Sequence, residues 1–366
     1  MNINGKHCHT IWLQENNLVQ VFDQRYFPHK TDVFDIKNTD QAAYAIKEMV
    51  VRGAPLIGVT AAYGMYLGCL EAKTQANPQE YIQKVANKLN ATRPTAVNLA
   101  WAIEEMLRVI GQQNKVDDQI TVALKRAHEI KEQDIDICFN IGQHGLKIIQ
   151  QIAEKKKGES VNILTHCNAG WLATIDWGTA TSPIYQAHQA GIEVHVWVDE
   201  TRPRNQGANL TAYELNQQGV PHTLINDNTG GHLMQHNMVD LVIVGTDRTT
   251  RNGDVANKIG TYLKALAAHA NKVPFYVALP SSTLDCSIGD GVKEIPIETR
   301  DQNEVKYIQG LVDGEIKSVL ICPETTPAMN YGFDVTPAKY VTGLITERGI
   351  CHASEKGIKE LFPEKF

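Results

Sequence analysis

The chain has 366 residues, 43% hydrophobic and 21% charged, with a net charge of −6 and a pI near 6.1. That is an ordinary globular composition, and the length exceeds what one core usually serves. The acidic balance argues against nucleic acid or an acidic membrane surface as the main partner.

The predicted elements begin with a β-rich opening. Ile11-Trp12-Leu13 and Leu18 to Phe22, split by the turn-prone Glu15-Asn16-Asn17, predict a hairpin. Apolar residues at helical spacing predict helices over 40–49, 58–71, 78–90, 96–110 and 117–130, with Thr95 as the N-cap of the fourth. Near residue 160 the pattern changes. Short apolar runs at 161–165, 193–198, 222–225, 241–244 and 275–279 read as strands. The stretches 173–190, 210–217, 232–237 and 255–269 read as helices between them. This alternation predicts βαβ units and a mostly parallel sheet. The charged run Glu154 to Glu159 marks a boundary. Residues 1–150 are expected to form a mainly helical N-terminal domain with a small β hairpin, and 151–366 an α/β domain.

Apolar runs such as 241–244 are far too short to span a bilayer. The start, Met1 to His7, has no apolar signal core, which points to the cytoplasm. Seven cysteines include no Cys-x-x-Cys pair, so neither a disulfide framework nor a structural zinc site is expected. His7-Cys8-His9 lacks a distant partner and is poor ligand spacing. No Gly-x-Gly-x-x-Gly follows the first α/β strand and there is no P-loop, so nucleotide-cofactor fingerprints are missing.

The strand ends offer His166-Cys167-Asn168, Asp199 to Arg202, Asp227-Asn228, Asp247 and Pro280-Ser281-Ser282. In a parallel sheet all five clusters share the edge where ligands bind. A lone cysteine is commonly buried filler. Its place at a strand end, with His166 and a following helix to lower its pKa, favours a reactive Cys167. Asp247 reads equally as a general acid–base or a helix N-cap. Asn257 and Lys258, beside a predicted helix start, suit phosphate or a solvated surface. Arg52-Gly53-Ala54-Pro55 has the form of a helix-start phosphate cradle, with Arg93 in a similar setting and Gln206 after another strand. Each is weak alone.

Together these segments resemble the methylthioribose-1-phosphate isomerases. That family sits in a larger group with the regulatory alpha, beta and delta subunits of the exchange factor for translation initiation factor 2. The resemblance runs from Phe22-Asp23-Gln24-Arg25 through the motifs above to Ile295-Pro296-Ile297-Glu298 and Phe333-Asp334-Val335-Thr336-Pro337. It implies a helical domain followed by a Rossmann-like one, a homodimer, and no cofactor or metal. It also implies Cys167 and Asp247 as the catalytic pair, with Arg52, Gly53, Ala54, Arg93, Gln206, Asn257 and Lys258 binding substrate. The implied reaction converts 5-methylthioribose 1-phosphate to 5-methylthioribulose 1-phosphate in methionine salvage. Asn330-Tyr331-Gly332 replaces the Asn-Pro-Ala of many members. Thr246 to Arg251 and Pro280-Ser281-Ser282-Thr283 also resemble relatives acting on 5-deoxyribose 1-phosphate. A ribose-1,5-bisphosphate isomerase and a non-catalytic regulatory subunit are the remaining alternatives.

Overall fold

The computed structural model describes residues 1–93 and 96–366; Thr95, the predicted cap, lies outside the described residues. The chain opens with a ribbon of β1 (Asn2–Ile3) and β2 (Lys6–His7). An antiparallel sheet of β3 (Ile11–Leu13), β4 (Val19–Phe22) and β5 (Val33–Ile36) follows. The predicted hairpin forms its first two strands. The third, Val33-Phe34-Asp35-Ile36, is too short to signal a strand alone.

Helices α1 (Thr39–Lys47), α2 (Ala54–Ala72), α3 (Pro78–Asn90) and α4 (Val97–Ile110) come next. Almost every residue of α2 is buried, as expected of a helix that is apolar all round. Helix α5 (Val116–Lys156) runs well past the predicted end at Ile130 and crosses residue 150. Beyond Ile130 its inward face carries Asp134, Cys138, Gly142 and Gly145, which break the apolar period. The small residues let α6 (Ser182–Gln189) pack directly on it: a Cβ on Gly145 would meet Pro183 at 2.4 Å. Ala123, Ala127 and Ile130 of α5 join the helical core, whereas Ile141, Ile148 and Ile149 join the core under the main sheet.

The remaining strands are β6 (Val161–Thr165), β7 (Val194–Asp199), β8 (His222–Ile225), β9 (Leu241–Val244), β10 (Arg248–Thr250), β11 (Val255–Lys258), β12 (Phe275–Ala278), β13 (Leu284–Asp285), β14 (Tyr307–Val312), β15 (Glu315–Leu320), β16 (Phe333–Thr336), β17 (Gly343–Thr346) and β18 (Gly349–Cys351). The main sheet has the order β18-β17-β12-β9-β6-β7-β8, and only β18 is antiparallel. Leu241 and Ile243 of β9 enter one core, Val242 and Val244 another, as in a sheet covered on both faces. From β6 the sheet grows one way through β7 and β8. It then restarts on the other side with β9 and β12. The crevice between β6 and β9 is therefore a topological switch point.

Two predicted helices differ. Of 173–190 only α6 is regular helix, after a short turn at Trp171–Ala173. After α7 (Ala212–Gln217) and α8 (Thr229–Gln235), only Thr261–Ala270 of the stretch 255–269 is helix, α9; Val255–Lys258 is strand β11. β11 pairs with β10 and, over four residues, with β16 in a second sheet ordered β13-β10-β11-β16. A partner more than seventy residues downstream leaves no trace in local periodicity. Asn257 and Lys258 thus lie on a strand, not a helix start. Among the described residues no helix is long and apolar enough to cross a membrane.

Candidate active site

Cys167, Asp247, Arg52, Gly53, Ala54, Arg93, Gln206, Asn257 and Lys258 all line one cavity. Cys167 stands just beyond β6 and Asp247 just beyond β9, so the two face each other across the switch point. Gln206 follows β7. β11 brings Asn257 and Lys258 over the crevice. α2 aims its N-terminus at the cavity: Gly53 is its N-cap, Pro55 is in its first turn, and no side chain caps it. Gly53 has φ 92°, and a Cβ there would lie 2.3 Å from the Ala173 carbonyl oxygen, so only glycine fits. The uncapped amides give this end a partial positive charge.

Cys167 is buried with φ 67°, a left-handed conformation rare outside glycine. Such strain costs on the order of 1–3 kcal/mol and persists only when the surroundings fix it. Here the Cys167 N–H donates to Thr201 Oγ1 at 2.8 Å, and its carbonyl accepts from Thr211 Oγ1 at 2.8 Å. The expected lowering of its pKa is not found. Burial raises the thiol, opposed by Arg52 and Lys258. His166 turns away, its Nδ1 on Asp199 Oδ2 and its Nε2 on the Ile259 carbonyl, both at 2.9 Å. Lys264 Nζ also reaches Asp199 Oδ2, at 3.1 Å. This buried group ties β6, β7 and α9 together behind Cys167. The segment directly after Cys167 is a turn rather than a helix.

The cations are held rigidly. Arg52 donates from Nη1 to Asn168 Oδ1 at 2.6 Å and from Nη2 to the Asn168 carbonyl at 2.9 Å. Arg93 pairs with Glu298 at 3.4 Å. Lys258 donates to the Gly332 carbonyl at 3.0 Å, with its ammonium 4.8 Å from the centre of the Phe333 ring. Burial lowers the pKa of Arg52 and Lys258, opposed by the nearby Cys167 and Asp247. Burial raises the Asp247 carboxyl, opposed by Lys258, Arg93 and Arg52. The site therefore keeps its charges close and partly withdrawn from water, where fields are stronger than in solvent.

Two supporting carboxylates escape sequence reasoning. Glu214 of α7 (Ala212–Gln217) is fully buried and accepts from the Trp171 and Leu172 amides, Asn168 Nδ2 and Tyr185 Oη, at 2.9–3.0 Å. Burial pushes it up to about 7, against the pull of those donors. By fixing Asn168 it fixes Arg52. Asp334 accepts from the Gly260 and Tyr262 amides at 2.7 and 3.1 Å and so braces the turn after Lys258. Glu214 sits in a short polar stretch with no motif around it. Asp334 lies within the Phe333–Pro337 segment, whose sequence gives its position but not its contact.

Two buried polar atoms at the cavity, Gln206 Oε1 and Arg93 Nε, have no protein partner. Unpartnered buried groups are costly and point toward a ligand. Beside Asp247, Arg93, Ala54 and Phe333 the cavity adjoins an apolar lobe lined by Ile57, Ala256, Ile295, Pro296 and Ile297. Arg248 also reaches this lobe and pairs with Asp285 at 3.6 Å.

Residues 50–353 match the model of the initiation factor 2 subunit family. The chain is 59% identical over 371 residues to the methylthioribose-1-phosphate isomerase of Rhizobium meliloti (strain 1021), covering all of both chains. The crystal structure of 5-methylthioribose 1-phosphate isomerase from Pyrococcus horikoshii OT3 superposes with a TM-score of 0.83 at 36% identity, over 98% of this chain and 97% of that one. The crystal structure of translation initiation factor eIF-2B, subunit delta, from A. fulgidus gives 0.79 at 35% identity, over 98% and 100%.

Proposed function

With this chain belonging to the initiation factor 2 subunit family, among its methylthioribose-1-phosphate isomerases, we propose that Cys167 and Asp247 carry out its chemistry and that the cations around them hold the phosphate. The reaction is the isomerisation of 5-methylthioribose 1-phosphate to 5-methylthioribulose 1-phosphate, a step of methionine salvage. The observation that carries the assignment is the pair's position across the switch point, among one buried and two half-buried cations.

The substrate's anomeric carbon bears phosphate, so its aldehyde is masked. Opening the ring gives the ring oxygen a proton. The C2 hydroxyl loses one, and one hydrogen passes from C2 to C1. Asp247, its carboxyl raised by burial, moves the proton from the C2 hydroxyl to the ring oxygen. Cys167 faces the C1–C2 bond as the second acid–base group. Arg52, Lys258 and the α2 amides at Gly53 and Ala54 bind the phosphate. Arg93, Gln206 and Asn257 take the sugar hydroxyls. Orientation in a dry site then supplies much of the rate.

The apolar lobe takes the methylthio group. A 5-deoxy sugar leaves it part-empty, a difference of only ~1–3 kcal/mol. In this reading the chain acts as a cytoplasmic homodimer that needs no nucleic acid. The test is kcat/KM on 5-methylthioribose 1-phosphate, 5-deoxyribose 1-phosphate and ribose 1,5-bisphosphate, with chelator present. Preference for the first is expected. No turnover of any by folded protein would leave a regulatory role. Solvent deuterium at C1 of the product reports proton transfer; its absence reports direct passage of hydrogen from C2 to C1.

A further inference from the structure

His7 ends β2 and His9 follows two residues later, so in extended chain their side chains leave on the same side. The fold brings Asp176 to them, from the loop whose Thr174 and Thr179 line the catalytic cavity. Asp176 is the distant partner that the sequence alone did not offer. The imidazoles meet edge to face, 82° apart. Their Nε2 atoms are 3.4 Å apart and lie 3.6 and 3.8 Å from Asp176 Oδ2. The distances to the carboxylate are too long for direct hydrogen bonds. They suit a shared ion: a point about 2.1 Å from all three atoms lies within the triangle, the length of zinc bonds to imidazole and carboxylate.

We propose that His7, His9 and Asp176 bind a divalent transition metal of the zinc class, with a fourth position open to solvent. His7 is 61% exposed and provides the access. Asp176 is buried and aimed: its Oδ1 accepts from the Trp177 amide at 2.9 Å and from the Met1 ammonium. That leaves Oδ2 for the ion. The cation nearest His9 is Lys131. Lys131 itself is paired with Glu132 at 2.9 Å. Cys8 is no ligand, because its thiol faces the Met1 carbonyl and its side chain packs on the core under the main sheet. The ion clamps the N-terminal ribbon to the loop behind the cavity, so it acts on stability and not on the chemical step.

The test is a Co2+ titration of the untagged full-length protein after chelator treatment, followed by Zn2+ displacement. One equivalent with tetrahedral visible absorption and no sulfur-to-metal band is expected, and Zn2+ should raise Tm. In the double variant His7→Gln, His9→Gln affinity should fall more than ~100-fold, beyond what loss of an outer hydrogen-bond partner costs. The Tm shift should vanish while chelator-treated turnover stays normal. Absence of stoichiometric binding overturns the proposal. So does binding that survives in the double variant, or a thiolate band.

Discussion

The cavity is built by two regions of different character. The edge of the parallel sheet supplies Cys167 and Asp247, each on a short connection directly after a central strand. Elements outside that sheet supply the cations: Arg52 precedes α2, and Lys258 ends β11. The sheet edge is fixed by strands buried on both faces. The cations reach in from attached elements and are aimed one by one, Arg52 through Asn168 and Lys258 through Gly332. In the proposed reading, acid–base chemistry sits at the sheet edge and phosphate binding on elements that lean over it.

The largest effects should fall on the sheet edge. Cys167→Ser and Asp247→Asn should each cut kcat by roughly 10³-fold or more with KM and Tm little changed. A raised KM alone would move that residue from chemistry to binding. Glu214→Gln puts an amide NH2 among groups that all donate. It should lower stability by ~2–4 kcal/mol in denaturant titrations and reduce kcat/KM, because Asn168 then releases Arg52. Unchanged stability would mean that Asn168 is held by the backbone alone. Lys258→Ala should weaken substrate and inorganic phosphate by ~1.5–3 kcal/mol, read by calorimetry, with a smaller effect on kcat. A kcat loss matching that of Asp247→Asn would erase the contrast between the two regions. The smallest effect is expected for Ile297→Ala: the preference for the methylthio over the 5-deoxy substrate should narrow by about 1 kcal/mol, in side-by-side kcat/KM.

The sequence by itself determined the alternation of strands and helices after residue 160, because buried parallel strands are short β-branched runs with turn residues between them. Cys167, Asp247 and Gln206 were readable for the same reason: each follows such a run. The rest was decided by tertiary structure. The strand nature of Asn257-Lys258 depends on pairing with Phe333-Asp334. The length of α5 depends on small and polar residues that only α6 and the Ile175 amide make sense of, the latter bonded to Asp134 at 2.9 Å. The Cys167 thiol is pushed up rather than down, against the sequence expectation, because burial outweighs the two cations beside it and His166 faces elsewhere. Local periodicity reports which face of a segment is apolar. Which distant carboxylate meets His9, or which loop fixes Arg52, is set by how the layers close on one another, and single-chain patterns do not encode that register.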